Sequence, residues 1–237
     1  MDQDKFYLEK EANAFFDRWE MTINKDIPIN LRDNKVSILT QLNQNLKLEN
    51  LEVLEVGCFI GDLLKHLRNE YHCVVHGVET SSKACEYARN KYDLVLENTA
   101  FVKSSFFNLK PDNFHKLDLI IAEDVLSWMS RDFILPILGV FDWMLKPGGC
   151  IFLRDFSPAF SFAYKNHHWP GEKVFNFKQQ GGHRKFFLDL GKYVEQSTMI
   201  TNTSTYQKVS TSRPDSAVWA DSILVKLSEP LHPVLEL

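Results

Sequence analysis

Two acids and two glycines stand close together in the sequence, in an order that could bind a nucleotide cofactor. The segment 52–62 begins as an apolar strand and ends in a turn that contains Gly57 and Gly61. Glu55 lies near the end of the strand, and a glycine without Cβ lets the turn pass close to a ligand. Glu79 follows about twenty residues after this turn, at a position where an acid commonly binds the hydroxyl pair of a ribose. This arrangement predicts a cofactor site at the carboxyl edge of a parallel sheet.

The composition of the turn separates two classes of cofactor. Nicotinamide dehydrogenases use the pattern G-x-G-x-x-G, which brings backbone amides to a pyrophosphate. This chain has only Gly57 and Gly61, with Phe59 between them and Glu55 beside them. A carboxylate repels a diphosphate but attracts an ammonium or a sulfonium. The residues therefore favour a cofactor with a cationic amino-acid end.

Alternating strands and helices must position these residues. Apolar residues at helical spacing predict helices over about 12–19 and 34–46. Further helices should end near Tyr71, start at Ser81 or Ser82, and run from Pro136 to Leu145, with the proline in the first turn. Five strands are expected, at 51–56, 74–79, 100–102, 117–122 and 150–154, the last preceded by a sharp turn at 146–149. This alternation predicts a parallel sheet with right-handed crossovers.

The chain end departs from this pattern. Residues 156–192 show few periodic features, and so long a connection in a compact domain is usually functional. Two further strands are expected at 193–201 and 217–227, joined by the polar stretch 202–215. This pattern is typical of an antiparallel pair at a sheet edge.

Composition narrows the class of protein. The 237 residues are 44% hydrophobic, which suits one large α/β domain. A net charge of -4 argues against a nucleic-acid binder, and no stretch has the layout of a signal peptide or of a membrane span. No C-x-x-C spacing occurs, so we expect reduced thiols in a cytoplasmic protein without a metal site. The cysteines concerned are Cys58, Cys73, Cys85 and Cys150.

The ordered motifs resemble those of class I S-adenosylmethionine-dependent methyltransferases. The resemblance covers about residues 53–155 and rests on five segments in the family's order, at 55–61, 77–79, 104–107, 118–128 and 145–149. It implies a doubly wound, Rossmann-like α/β fold with a mostly parallel seven-stranded sheet. The implied strand order is 3-2-1-4-5-7-6, with the last strand antiparallel. The implied cofactor is S-adenosyl-L-methionine.

The resemblance also implies roles at the first two motifs. The backbone around Gly57 and Gly61 would approach the methionine part of the cofactor, and Glu55 would anchor that region. Phe59 replaces a frequent glycine, so the turn is built differently or Phe59 closes over the cofactor. Glu79 would bind the ribose hydroxyls; the alternative is a solvated acid at a strand end.

The later motifs carry three more expected contacts. Ser105 takes the position that usually contacts the adenine amino group, although it replaces a frequent acid and the contact could be weak or absent. The amide of Phe106 would meet an adenine ring nitrogen. Glu123 begins the loop beside the methionine end. Glu123 and Asp124 could equally cap the following helix, since acids favour helix N-termini.

Cationic and aromatic residues gather in the segment 156–192 of this net-acidic chain. The segment follows the fifth strand, at the edge of the sheet where open α/β proteins bind ligands. We therefore expect an anionic acceptor there, such as a nucleotide-linked sugar or a phosphorylated metabolite. A solvated charged loop is the alternative. The expected acceptor contacts are Tyr164, Lys165, Lys178, His183 and Arg184, with Trp19 from the N-terminal helix.

The chemistry depends on the atom that is methylated. A hydroxyl acceptor needs its proton removed, and His167 or His168 could serve as general base, because histidine titrates near neutral pH. A phosphate oxygen needs no base. Two adjacent loop histidines could also only hydrogen-bond backbone.

A looser resemblance points to methyltransferases found with bacterial surface-polysaccharide genes. It rests on Asp-x-x-Pro at 155–158, Lys-Asn-His-His at 165–168 and Phe-Phe-Asp-Arg-Trp at 15–19. It implies an acceptor in capsule or other surface-glycan biosynthesis. Methylation of an unrelated small metabolite and a non-catalytic cofactor-binding module stay open as alternatives.

The expected organisation is a single methyltransferase domain over residues 1–237. Its parts are an N-terminal helical lid (1–47), a cofactor-binding core (48–155), an acceptor-binding insertion (156–192) and C-terminal edge strands (193–237). The expected partner is a small anionic molecule, not a nucleic acid or a membrane. The oligomeric state stays open, with a homodimer among the alternatives.

Overall fold

Nine strands are present in the computed structural model, which describes residues 3–23, 33–166, 168–169, 171–202 and 218–229. Seven of them form one sheet and two form a separate hairpin. In chain order the strands are β1 (Glu52–Val56), β2 (Val74–Glu79), β3 (Glu97–Asn98), β4 (Leu117–Glu123), β5 (Leu145–Phe156), β6 (Phe162–Lys165), β7 (Phe175–Lys178), β8 (Tyr193–Asn202) and β9 (Val218–Lys226).

Helices cover the sheet and one of its edges. In the described part of the chain they are α1 (Gln3–Phe6), α2 (Ala12–Ile23), α3 (Asp33–Asn45), α4 (Asp62–Tyr71), α5 (Ser82–Tyr92), α6 (Arg131–Met144) and α7 (Arg184–Asp189). A π-helical turn, Tyr7–Glu11, joins α1 to α2 without a break. None of these helices is long and apolar enough to cross a bilayer.

The strand order of the large sheet is β3-β2-β1-β4-β5-β9-β8. Strands β1 to β5 pair in parallel, and β9 runs antiparallel to both β5 and β8. Because β6 and β7 form their own hairpin, β8 and β9 are the sixth and seventh strands of this sheet. The predicted order 3-2-1-4-5-7-6 is therefore confirmed, and the antiparallel strand is the last one in the chain, β9.

Burial on both faces of the central strands explains why they lie inside the sheet. In β4, Leu119 and Ile121 pack with α3 and α4 on one face, while Ile120 and Ala122 pack with α6 on the other. All four side chains are fully buried or nearly so. Such unbroken apolar runs are typical of parallel strands that are covered by helices on both sides.

Local signals confirm several of the predicted boundaries. Ser81 caps α5, because its Oγ accepts a hydrogen bond from the backbone N–H of Ala84 at 3.1 Å. Strand β2 and the end of α4 lie where the apolar pattern predicted them. The expected helices near the N-terminus are present as α2 and α3.

Three predicted elements were wrong in position. The third strand is Glu97–Asn98, and residues 101–103 form a 3-10 turn in which Phe101 is buried. Helix α6 begins at Arg131, so Pro136 lies inside it and not in its first turn. Strand β5 already begins at Leu145, and the predicted turn at 146–149 is an irregularity within it, where Gly148 has a φ of 79°.

Residues 156–192 contain more regular structure than their sequence indicates. The hairpin β6–β7 and helix α7 lie between β5 and β8. The strands of the hairpin have only four residues each, and α7 has six, too few for a periodic signal. Of the predicted polar connection 202–215, all but Asn202 lies outside the described residues.

Candidate active site

The turn after β1 is built from residues with left-handed backbone. The φ angles are 70° at Gly57, 51° at Phe59 and 69° at Gly61. A Cβ added to Gly57 would lie 2.8 Å from Cγ2 of Val125, so glycine is required by both angle and space. A bulky residue with positive φ, such as Phe59, is strained, and such strain is often found at functional sites.

The strained turn directs a backbone amide at the acid that ends β2. The N–H of Phe59 donates to Oε2 of Glu79 at 2.8 Å, and the N–H of Ser81 donates to Oε1 at 2.7 Å. Burial raises the pKa of Glu79, while these backbone hydrogen bonds oppose the shift. The carboxylate is therefore fixed at the carboxyl edge of the sheet. Oε1 also accepts a hydrogen bond from the hydroxyl of Thr80 at 3.3 Å, so Oε2 is the oxygen that keeps a further lone pair for a ligand hydroxyl.

Glu55 is buried beside a lysine from α3. Its Oε1 lies 3.8 Å from Nζ of Lys35, and Lys35 also donates to Oε2 of Glu123. The second oxygen of Glu55, Oε2, is buried without a hydrogen-bond partner among the described residues. Burial raises the pKa of Glu55 to about 8, and nearby acids add to the effect while Lys35 opposes it.

The charged residues continue from Glu123 toward β9. Arg154 donates from Nη1 to Glu123 at 3.0 Å, and it binds Asp221 through two nitrogens at 2.6 and 2.7 Å. Gln41 of α3 donates to the same Asp221 at 3.1 Å. Alternating charges thus link β1, β4, β5, β9 and α3 directly below the carboxyl edge of the sheet.

The unpartnered oxygen of Glu55 tests whether an amino-acid cofactor fits here. A buried carboxylate oxygen without a donor is costly, and the ammonium of a methionine moiety would supply that donor. Gly57, two residues after Glu55, has no side chain, so a ligand can approach the backbone of the turn closely. Glu79 lies at a suitable place for a ribose because β2 is the neighbour of β1. These residues fit S-adenosylmethionine.

The expected adenine contacts lie at the end of β3. Ser105 is exposed, and it donates both its N–H and its hydroxyl to Glu97, at 2.6 and 2.7 Å. The ring of Phe106 packs in the core, 5.4 Å from the ring of His76. The groups left for an adenine contact are the lone pairs of the Ser105 hydroxyl oxygen and the backbone amide of Phe106. Both adenine contacts stay predictions.

A buried lysine of β7 reaches the loop after β4. Nζ of Lys178 donates to Oγ of Ser127 at 3.0 Å and lies 3.9 Å from Oδ1 of Asp124. It also lies 3.0 Å from the ring centroid of Phe156, a cation–π contact. Burial lowers the pKa of Lys178, although Asp124 and Asp155 oppose the shift. Lys178 thus connects the insertion to the strand ends that carry the cofactor residues.

A histidine and an aspartate are paired next to Lys178. Nδ1 of His183 lies 2.5 Å from Oδ2 of Asp155, which also accepts the backbone N–H of His183 at 2.8 Å. The N–H of Phe156 donates to the other carboxylate oxygen, at 2.8 Å. His183 and Lys178 both line a cleft of about 390 Å³ between α6, the hairpin and α7. Its other lining residues include Arg131, Ile134, Phe162, Phe177 and Phe186.

The remaining predicted acceptor residues do not meet in this cleft. Arg184 points to the edge strands, where it binds Glu195 at 2.8 Å and also Thr198 and Ser222. Lys165 and His168 are exposed. Trp19 is 47% exposed on α2, and its described ring contact is with Phe15. His167 lies outside the described residues.

Tyr164 takes an intermediate position. Its ring, on β6, has its centroid 5.7 Å from Nζ of Lys178, and it is half-buried. It therefore lies beside one of the residues that line the cleft.

The N-terminal helices lie across the site. Trp169 donates from Nε1 to Glu11, and its ring meets Phe6 at 5.2 Å. The ring of Tyr7 contacts Trp128 at 5.6 Å, just after β4. Phe15 meets Phe59, in the cofactor turn, at 5.3 Å. One helical segment therefore touches both the cofactor turn and the insertion.

Several residues of the site had no signal in the sequence. Lys35 is one of many lysines in polar helices, and only the docking of α3 places it beside Glu55. Arg131 begins α6 and reaches the cleft through tertiary packing. Asp155 could have been noticed, because it stands at the end of β5 just as Glu79 stands at the end of β2. Within the described residues, no group of three or more acids, histidines or cysteines is arranged to hold a metal ion.

Comparison with known proteins agrees with this geometry. Residues 53–149 match a family model described as "Methyltransferase domain". O-methyltransferase 3 of Dictyostelium discoideum is 29% identical over 170 residues, which cover 65% of this chain and 36% of that protein. The chain spans less than half the length of the curated relatives that it matches.

Solved structures share the fold at low sequence identity. A putative sarcosine dimethylglycine methyltransferase from Galdieria sulphuraria has a TM-score of 0.64 at 13% identity, covering 92% of this chain and 99% of that one. Magnesium protoporphyrin IX methyltransferase from Synechocystis, with bound S-adenosylhomocysteine, has a TM-score of 0.61 at 18% identity, covering 95% and 100%. The sheet order and the glycine turn with its two strand-end acids agree with the match of residues 53–149 to a methyltransferase domain, which is the domain that this part of the chain resembles.

Proposed function

We propose that this protein transfers a methyl group from S-adenosylmethionine to an oxygen of a small, negatively charged acceptor. The observation that carries the proposal is the buried Oε2 of Glu55, which lacks a donor within a glycine turn of a methyltransferase domain. Gly57, Phe59, Gly61, Glu79 and Glu123 surround it as the proposed cofactor residues. The bound cofactor supplies a sulfonium methyl that is already electrophilic, so the protein chiefly positions the acceptor and excludes water.

The charge of the acceptor is proposed from the cations of the cleft. Lys178 and Arg131 both line it, and the guanidinium of Arg131 lies 5.4 Å from the ring centroid of Phe177. Arg184 and Lys185 are instead occupied by Glu195 and Asp189. Two cationic side chains, Lys178 and Arg131, thus line the cleft itself, which is enough to bind one carboxylate or one phosphate.

The size of the cleft favours a compact acceptor. Ligand cavities commonly measure about 300–1,000 Å³, and about 390 Å³ lies near the lower limit. A phosphorylated or carboxylated metabolite fits that volume better than a whole nucleotide-linked sugar. The capsule or surface-glycan pathway therefore stays a prediction that rests on sequence resemblance. The name of the Dictyostelium relative supports oxygen as the methylated atom.

The acceptor contacts are proposed residue by residue. Lys178 and His183 line the cleft, and Tyr164 lies beside Lys178. His168 and Lys165 are exposed on the same insertion and could contact an acceptor that extends out of the cleft. His167 stays a prediction outside the described residues.

Binding and transfer can be tested separately. We expect titration calorimetry to show binding of S-adenosylhomocysteine and none of a nicotinamide dinucleotide. Transfer is then followed with methyl-labelled S-adenosylmethionine against hydroxy acids, sugar phosphates and nucleotide sugars. Added salt should weaken the binding of the accepted compound, because surface charges are screened. Tight nicotinamide binding would contradict the cofactor assignment. A preference for neutral acceptors would contradict the proposed charge.

A further inference from the structure

The His183–Asp155 pair has the geometry of an oriented base. Asp155 is an acceptor in all three of its hydrogen bonds, two from backbone N–H groups and one from the ring of His183. A carboxylate with this environment can only accept, so Nδ1 of His183 must carry the hydrogen. In the neutral ring, Nε2 is then the nitrogen without hydrogen. Among the described residues, no hydrogen-bond partner is found for Nε2.

The pair is nearly closed off from solvent except toward the cleft. The His183 side chain is 4% exposed and the Asp155 side chain 7%. His183 nevertheless lines the cleft. A basic nitrogen inside a buried pair can therefore be reached from one direction, the space between the hairpin and α6.

Lys178 supplies a positive charge on the same wall. It lines the cleft with His183, and its ammonium interacts with both Asp124 and Asp155. The charged and titratable groups that line this space are Lys178 from β7, His183 before α7 and Arg131 from α6. Asp155 from β5 and Asp124 from the loop after β4 are not among its lining residues, but both interact with the ammonium of Lys178. An oxygen that loses its proton here would have an ammonium beside it.

The other walls of the cleft are apolar. Phe162, Phe177 and Phe186 contribute aromatic rings, and Ile134 adds an aliphatic surface. Flat aromatic walls suit a planar ring. The polar wall would then meet a substituent on the edge of that ring.

Building on the proposed function, we propose that His183, oriented by Asp155, is the general base for a hydroxyl on a planar ring, and that Lys178 stabilises the resulting oxyanion. His183 then takes the catalytic role that the sequence suggested for His167 or His168. The acceptor class is a phenol or an enol-type ring hydroxyl. Asp155 is a positioning residue, since it acts through the ring of His183.

The proton and electron balance is simple. Nε2 of His183 accepts the hydroxyl proton, and the acceptor oxygen keeps the electron pair with which it forms the new carbon–oxygen bond. The electron pair of the broken carbon–sulfur bond remains on the sulfur of S-adenosylhomocysteine. His183 later releases its proton to water, so each turnover yields one methyl ether and one proton.

The probe for this proposal is 4-nitrophenol, whose phenolate absorbs near 400 nm. We expect it to bind the wild-type protein and to ionise at least about one pH unit lower than in free solution, the smallest shift that a nearby opposite charge usually produces. The variants His183→Gln and Lys178→Met should each move this ionisation back toward that of the free probe. Asp155→Asn should leave the probe bound but reduce the shift.

One variant serves as a control for the histidine. His66→Gln, on α4, should keep the full shift. A loss of the shift in His66→Gln, with none in His183→Gln, would overturn the proposal. Thermal unfolding of each variant shows whether the fold is retained.

A nitrogen-15 spectrum of the wild-type protein gives a readout that does not depend on any variant. We expect the neutral ring of His183 to be the tautomer with hydrogen on Nδ1 and none on Nε2. The opposite tautomer, no probe binding, or binding without a shift would each show that the pair only ties α7 to β5. Binding of S-adenosylhomocysteine is measured in parallel: its presence without a probe shift rejects this inference alone, and its absence rejects the proposed function.

Discussion

At the level of single residues, the role of Gly57 in cofactor binding can be tested against Gly148, a glycine with similar left-handed backbone. Gly57 and Gly148 have φ angles of 70° and 79°, but an added Cβ would strike Val125 only at Gly57 and would meet nothing within 4 Å at Gly148. Alanine at Gly148 should cost about 1–2 kcal/mol of stability, because left-handed backbone is strained for a residue with Cβ. Alanine at Gly57 should cost more, because its Cβ also clashes with Val125. Only Gly57→Ala should also abolish binding of S-adenosylhomocysteine in calorimetry. Equal binding by both variants would contradict the placement of the site.

Glu55 gives the cofactor site a pH dependence whose sign follows from its environment. Its pKa is raised to about 8 by burial, so the carboxyl is largely protonated below that pH. An ammonium favours the ionised form, and binding must therefore release a proton below about pH 8. Affinity for S-adenosylhomocysteine should rise with pH up to about 8 and then level off.

Calorimetry in two buffers with different ionisation enthalpies measures this proton release directly. Glu55→Gln should bind more weakly, release no proton and show a flat profile over the same range. A wild-type profile that is flat from pH 6 to about 8 would mean that Glu55 is already ionised before the ligand binds.

At the level of elements, the N-terminal helices are predicted to act as a lid. They touch Trp169 in the insertion, Trp128 after β4 and Phe59 in the cofactor turn. Deleting residues 1–21 should leave a domain that binds S-adenosylhomocysteine but releases it about tenfold faster, a loss of about 1.4 kcal/mol of kinetic barrier. Methyl transfer should also slow. Stopped-flow tryptophan fluorescence follows the release.

Two point variants test the lid without a deletion. Trp169→Leu removes the hydrogen bond to Glu11 and the ring contact with Phe6, and it should change the release rate in the same direction. Lys10→Ala removes an exposed ion pair with Glu172 and a cation–π contact with Phe6 at 5.5 Å, and both contribute little at an exposed lysine. If the deletion, Trp169→Leu and Lys10→Ala all release ligand at the wild-type rate, these helices pack on the sheet without covering the site.

Elements were predictable wherever their own periodicity or caps specify them. Strand β2 and helix α5 have an apolar run and a serine cap, so sequence and structure agree there. Strand β3 has only two residues, and its neighbour Phe101 is buried in a 3-10 turn, so tertiary packing decided its position. The start of α6 was missed because Pro136 is tolerated inside that helix. Short pieces such as β6 and α7 carry too few residues for any pattern.

At the level of the whole molecule, Arg154 should be more important for stability than any exposed cation. It joins β4, β5 and β9 through Glu123 and Asp221, with 12% of its side chain exposed. Arg154→Met removes one partner from Glu123, which keeps Lys35, and the guanidinium from buried Asp221, which keeps Gln41, and it should cost about 3–5 kcal/mol in urea unfolding. Lys146→Met, which breaks the exposed pair with Asp118, should cost less than about 1 kcal/mol. Similar midpoints for the two variants would show that the charge network is not a structural link.

The candidate site was predictable where its residues belong to one turn or one strand end. The glycines, Glu55 and Glu79 lie within local motifs whose chemistry is visible in the sequence. Lys35 joins them only through the docking of α3, and Arg184, although it stands next to His183, turns toward Glu195. A cluster of like charges in sequence thus divides between the cleft and the edge strands, because each side chain follows the element that bears it.

The π-helical turn in the N-terminal segment has a consequence for tolerance to deletion. The N–H of Ala12 bonds the carbonyl of Tyr7, five residues earlier, so this turn holds one residue more than an α-helical turn would. Each residue rotates a helix by about 100°. Losing a single residue such as Leu8 would restore ordinary winding but rotate α1 out of phase with α2, and Phe6 would leave Trp169. This turn therefore constrains the number of residues between Phe6 and Ala12 more than the identity of any one of them.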